Sequence, residues 1–120
     1  MQSFRNLKVW EKAHAVTLDI YHASRSFPKD ELYGLTSQMR RASASIGANI
    51  AEGSCRKGDV EFGRFLQIAI GSCDETRMWL DLSKDEGYIP EGEVKEIKER
   101  YNRIGAMLSS LWKQRHDVPR

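Results

Sequence analysis

The chain has 120 residues, 40% of them apolar and 30% charged, with a formal net charge of +2. That size suits a single domain, 1–120, with one core, and the balance is globular rather than disordered. So small a total charge excludes a uniformly basic nucleic-acid binder, and no apolar run approaches the ~20 residues that span a bilayer.

The first predicted helix covers about 7–26. Val9, Trp10, Ala13, Val16, Thr17, Ile20, Tyr21 and Ser24 recur at helical steps of three and four. Phe27-Pro28 ends it, because the residue before a proline is pushed out of helical geometry. The second helix covers about 35–54, with an apolar stripe of Leu35, Met39, Ala42, Ile46, Ile50 and Gly53. Gly53 is expected to end it in a left-handed conformation.

The third helix covers about 59–86, with Asp59 as the expected N-cap. Phe62, Phe65, Leu66, Ala69, Cys73, Thr76, Leu80 and Ser83 face one way, and Ile68, Ile70, Trp79 and Leu82 widen the apolar surface. A helix apolar on more than one face is usually buried on more than one face. Gly87 to Pro90 is the next break, and Pro90 suits the first position of a fourth helix over about 90–115. Val94, Ile97, Tyr101, Ile104, Leu108 and Leu111 then form a heptad seam, and Glu96–Arg100 is the expected ion pair on that helix. Four amphipathic helices with short connections predict an all-α, antiparallel up-down-up-down four-helix bundle.

Three constellations bear on function. Gln38, Arg41, Ser45, Asn49 and Glu52 share one face of the second helix, each one position before a core residue. A solvated face normally carries Lys and Glu, so this set reads as a structural polar network or interface that fixes register. A catalytic site built from Arg41, Ser45 and Glu52 lacks a base to activate the serine. His14, His22 and His116 are too scattered for a metal site, so no metal, cofactor or catalytic residue is expected. The third constellation is charge. In an up-down-up-down bundle, Arg5, Lys8, Lys12, Arg56, Lys57, Arg64, Lys113, Arg115 and Arg120 gather at one end, against Glu11, Glu52, Asp59, Glu61 and Asp117. That end is net +4, and the opposite end, with Asp30, Glu31, Asp81, Asp85, Glu86, Glu91 and Glu93 against Arg25, Lys29, Lys84 and Lys95, is net −3.

A clustered basic surface is the footprint of phosphate binding, to the backbone of RNA or DNA rather than to base edges. The competing expectation is a scaffold for another polypeptide, or an accessory subunit of a nucleic-acid-processing partner, drawn from the apolar breadth of the third helix and from Trp112. Cys55 and Cys73 form no Cys-x-x-Cys pair, and the first ten residues hold no apolar stretch of a signal peptide. A cytoplasmic chain is the corresponding expectation.

Several runs also resemble a known bacterial family. They are Phe4 to Trp10, Phe27-Pro28, Glu31 to Ala42, Ser45-Ile46, Asn49-Ile50-Ala51-Glu52-Gly53, Phe62 to Ser72, Glu75 and Gly87-Tyr88-Ile89. Together they are similar to the 23S rRNA intervening-sequence proteins, also called the four-helix bundle protein family, and the likeness covers nearly the whole chain. The resemblance implies a bacterial protein that assembles with identical subunits into a closed homopentamer, and the lack of a nucleophile–base pair or metal set in the sequence separately predicts a non-enzymatic one. The resemblance also implies kinship with accessory proteins of diversity-generating retroelements, which bind nucleic acid and a reverse transcriptase. The family has no settled biochemical function. Gly47 departs from the pattern, since the family often has a proline there that would bend the second helix.

Overall fold

The computed structural model describes residues 3–116, the last of them by its backbone only. Among the described residues there are four α-helices and no strand: α1 (Lys8–Ser24), α2 (Leu35–Ser54), α3 (Asp59–Asp85) and α4 (Glu91–His116). Short 3-10 turns, Phe4–Asn6 and Lys29–Glu31, precede α1 and α2.

Each helix buries the centre of the stripe that its period dictates, while Tyr21 is exposed and Trp10, Thr17, Phe62, Phe65 and Leu111 are only half-buried at the margins. Val9, Ala13, Val16, Ile20 and Ser24 are buried on α1. Met39, Ala42, Ile46 and Ile50 are buried on α2, and Leu66, Ala69, Cys73, Thr76 and Leu80 on α3. The heptad seam of α4, Val94, Ile97, Tyr101, Ile104 and Leu108, closes the core. Packing joins α1 to α2, α2 to α3, α3 to α4 and α4 back to α1, while the backbones of the diagonal pairs stay farther apart. Along α2, Met39 meets Ser83, Ser45 meets Ser72, and Gly53 meets Phe65 and Phe62.

The helix ends depart from expectation for identifiable reasons. α1 stops at Ser24, two residues early, because the Phe27 amide turns back to the Ser24 carbonyl at 3.1 Å. Phe27 is then buried, and its ring lies 5.2 Å from that of Tyr88, tying the first connection to the third. Gly53 does not end α2. The helix runs on to Ser54, and Gly53 is instead a point of close approach: a Cβ there would stand 2.7 Å from Phe65 Cβ. Asp59 is not an N-cap. It is the first residue of α3, and Gly58 takes the capping position with φ +90.

At the other end of α3, Gly87 (φ +79) donates to Lys84 and Tyr88 to Ser83. This pair of bonds is a Schellman cap, which needs a left-handed residue where glycine carries no Cβ penalty. Pro90 stands just before α4, and its carbonyl accepts from the Val94 amide at 3.1 Å. Gly47 leaves α2 helical throughout, and a Cβ there would meet Trp10 Nε1 at 3.4 Å, an ordinary contact.

Polar ties lie at the helix contacts. Thr17 Oγ1 donates to the Ser43 carbonyl at 3.0 Å, and Arg40 Nε to Ser24 Oγ at 2.8 Å. Lys98 reaches Asp81 at 2.8 Å, and Arg77 donates to Asn102 at 2.6 Å, both between α3 and α4. Arg100 pairs with Asp19 of α1 rather than with Glu96. The cross-helix carboxylate draws it away from the neighbour one turn back, whose pairing on an exposed helix is worth only about 0.2–0.5 kcal/mol.

Candidate nucleic-acid interface

One end of the bundle gathers the start of α1, the turn from α2 to α3 and the end of α4. Ser3 accepts from the Arg5 amide at 3.3 Å and sets the 3-10 turn, which brings Phe4 within 5.0 Å of the Trp10 ring. Arg5 then lies over both rings, 5.5 Å from Phe4 and 5.7 Å from Trp10. The start of α1 borders the end of α4 across a cleft lined by Leu7, Lys8, Met107, Leu111 and Gln114. Arg115 joins that end to α3, with Nε 3.8 Å from Asp59 and the guanidinium 4.7 Å from the Phe62 ring centre.

The candidate basic residues separate into two groups. Arg56 pairs with Glu52 and lies over Phe65, Arg64 pairs with Glu61 at 3.6 Å, and Arg115 faces Asp59. Their charge is matched locally, so they add little to the outward field. Arg5, Lys8, Lys12, Lys57 and Lys113 are exposed and form no ion pair with any described residue. Arg120 lies outside the described residues, as does Asp117.

Arg103, which sequence reasoning assigned to neither end, belongs with the second group. With Lys12, Ala15, Arg100 and Ile104 it lines a cleft of about 300 Å³ between α1 and α4. Lys8 and Lys12 are one helical turn apart on the α1 side of this face, and Arg103 opposes Lys12 from α4. The basic surface is therefore a stripe that climbs the α1–α4 face from the end of the bundle. Only the packing of α1 against α4 reveals it, because residues 12 and 103 have no sequence relation.

The polar set on α2 also divides. Ser45 and Asn49 are half-buried. Asn49 Nδ2 donates to the Ser45 carbonyl at 2.8 Å and to Ser45 Oγ at 2.9 Å, while Ser72 of α3 donates to the same Oγ at 3.0 Å. These three residues form a small network at the α2–α3 contact. Glu52 turns outward to Arg56. Gln38 and Arg41 are exposed, and Arg41 forms no ion pair with any described residue.

Burial pushes the Cys73 thiol up to about 12, so no thiolate forms there near neutral pH. The Tyr101 hydroxyl is also driven upward by burial, sealed beside Ser43 without a well-formed hydrogen bond. Cys55 is exposed, and neither cysteine is in a disulfide. No cluster of three metal-ligating side chains occurs among the described residues. His14 is exposed and stacks on Trp10, 4.9 Å centre to centre and 11° from parallel. No described helix is long and apolar enough to cross a membrane.

A second feature escaped sequence reasoning. Phe4, Trp10, His14, Leu18 and Tyr21 wall an apolar groove of about 450 Å³ between α1 and α2, floored by Ala44, Gly47, Ala48 and Ala51. The signal was available: Trp10, His14, Thr17 and Tyr21 step 4, 3, 4, and Ala44, Ala48 and Ala51 step 4, 3. It went unread because alanines on an exposed helix face look like ordinary helix formers.

With this geometry in hand, comparison with known proteins is informative. No curated protein matches the sequence. A crystal structure from Bacteroides thetaiotaomicron VPI-5482, described as a protein of unknown function from the S23 ribosomal protein family, is similar with a TM-score of 0.78 and 27% sequence identity. The alignment covers 88% of this chain and 98% of that one. The sequence profile described as "23S rRNA-intervening sequence protein" matches residues 5–110, a span that takes in all but the end of α4. The chain accordingly belongs to the 23S rRNA-intervening sequence protein family.

Proposed function

We propose that this protein is a non-enzymatic helical bundle that assembles with identical subunits and binds the phosphate backbone of RNA or DNA along its basic stripe. The observation that carries the binding reading is a group of exposed cations that form no ion pair with a described residue, Arg5, Lys8, Lys12, Lys57 and Lys113, with Arg103 beside Lys12 on the α1–α4 face. Lysines act as point charges on flexible stems, which suits backbone contact better than base readout. The helices run antiparallel, up-down-up-down, a direction supported by the descending α3 partners met along α2. The ring is a closed homopentamer on the strength of family likeness, and closure would repeat the stripe on every subunit. Two thiols outside any disulfide, Cys55 and Cys73, support a cytoplasmic setting.

Fluorescence anisotropy with mixed-sequence RNA and DNA oligomers tests the reading. Affinity is expected to fall steeply with salt, by a log–log slope of about 0.7–0.9 per phosphate neutralised. Replacing Lys12 and Arg103 together with glutamine is expected to lower that slope by about 1.4–1.8. Absence of binding at low salt, or binding indifferent to salt, overturns it. The scaffold reading draws on exposed Ile68 and Leu82 of α3. It predicts that a polypeptide partner is retained after nuclease treatment of the lysate.

A further inference from the structure

The exposed apolar residues are not scattered. Eight large apolar side chains are exposed among the described residues, and six fall on two faces. Leu18 and Tyr21 belong to the α1–α2 groove. Val60, Ile68, Met78 and Leu82 lie on the outer side of α3. Ile68, Gly71, Glu75, Met78 and Leu82 step 3, 4, 3, 4, so they form one straight ridge with a bare point at Gly71. At about 1.5 Å per residue the ridge from Ile68 to Leu82 is roughly 21 Å long, against roughly 17 Å for the groove wall from Trp10 to Tyr21.

The two faces are complementary in shape and charge. One is concave, walled by rings and floored by alanine and glycine, so a foreign helix can come close. The other is a convex line formed by Ile68, Met78 and Leu82. Arg25 lies one helical turn beyond Tyr21 and Arg41 one turn before Ala44, both exposed and without an ion partner among the described residues. Glu75 stands in the ridge, bound only to Trp79 Nε1 at 3.0 Å, with Asp85 and Glu86 beyond it. Groove against groove leaves both hollows unfilled, and ridge against ridge sets Glu75 against Glu75.

We propose that the α1–α2 groove of one copy seats the α3 ridge of a second copy, a heterologous contact between two different faces of the same chain. It deepens the assembly half of the proposed function and rests on it. Because a pair of copies joined this way retains one unused groove and one unused ridge, the contact propagates and must close into a ring or grow. Arg41 then has a role that the single chain does not give it, as the cation opposite the acidic ridge.

Light scattering coupled to size exclusion tests this with two variants, each spoiling one face. Ala48→Glu fills the groove floor and repels the ridge, and Met78→Lys interrupts the ridge and repels Arg41. Both positions are exposed, so circular dichroism is expected to report unchanged helix. If either variant loses helix, Ala44→Gln and Leu82→Gln take its place. Each variant alone is expected to run as a monomer where the wild type is assembled. An equimolar mixture is expected to give a dimer and nothing larger, because one intact ridge meets one intact groove. A monomeric wild type overturns the assembly reading itself. An assembled wild type whose size neither variant changes overturns the groove–ridge contact alone, as does a mixture that stays monomeric. A foreign polypeptide that binds the groove while the wild type stays monomeric assigns the face to that partner instead.

Discussion

At the scale of the residue, the core contains two acids that ionise only at a cost to the fold. Cys73 and Tyr101 are buried, and burial raises both hydroxyl and thiol above their ordinary values of 10.0 and 9.0. An acid whose folded-state pKa is raised keeps its proton better in the native state than in the unfolded one. Its contribution is therefore fully present below the unfolded value and is lost as pH rises through that value toward the folded one. Stability is expected to hold to about pH 8.5 and then fall, by up to about 1.4 kcal/mol per pH unit per group. Urea midpoints between pH 8 and 10.5 measure this. Cys73→Ala is expected to flatten the part of the decline that begins near pH 9, and an identical profile in the variant contradicts the assignment. The periodicity placed both residues in the core stripe. It could not report their ionisation, because that depends on what three other helices bring around them.

At the scale of the element, Gly53 is where α2 and α3 come closest. Sequence reasoning read it as a helix stop, a fair reading of a glycine followed by a polar, glycine-containing break. Packing overrode it: Phe65 and Phe62 occupy the space a side chain would need, with the nearest carbons 2.7 and 3.0 Å from the position of a Cβ. Helix propensity alone favours alanine over glycine by about 1 kcal/mol. Overpacking costs about 1–3 kcal/mol and is expected to win, since the nearest atom is the Phe65 Cβ, which moves only with its backbone. Gly53→Ala is thus expected to destabilise by up to about 2 kcal/mol in denaturant unfolding, a net of those two effects. A stabilised variant means that the helices can part without loss. The Arg100–Asp19 pair carries the same lesson. An intrahelical partner was visible at four residues' distance, and the partner taken lies on another helix.

At the scale of the molecule, the polar face of α2 separates folding from assembly. Asn49 is tied to Ser45, which Ser72 joins from α3, whereas Arg41 is exposed and has no ion partner among the described residues. Asn49→Ala is expected to cost about 0.5–1.5 kcal/mol of stability in the single chain. Arg41→Ala is expected to leave that stability within about 0.5 kcal/mol and to weaken assembly. Denaturant unfolding of the monomeric Ala48→Glu background measures the first effect, and the wild-type assembly's sedimentation measures the second. Equal losses of monomer stability for both residues contradict the division.

What the sequence determined by itself was the set of four helices, their buried stripes and the likeness to one family. Those follow from residue period, from glycine and proline at the breaks, and from runs such as Asn49 to Gly53, all of them local in the chain. Tertiary structure alone decided which charges are matched and which are left outward. It also decided that Arg103 joins Lys12, that Gly53 is a contact rather than a stop, and that alanines on α2 floor a groove. Each of these depends on distances between helices far apart in sequence. A one-dimensional pattern records the face a residue presents and carries no information on what arrives to meet it.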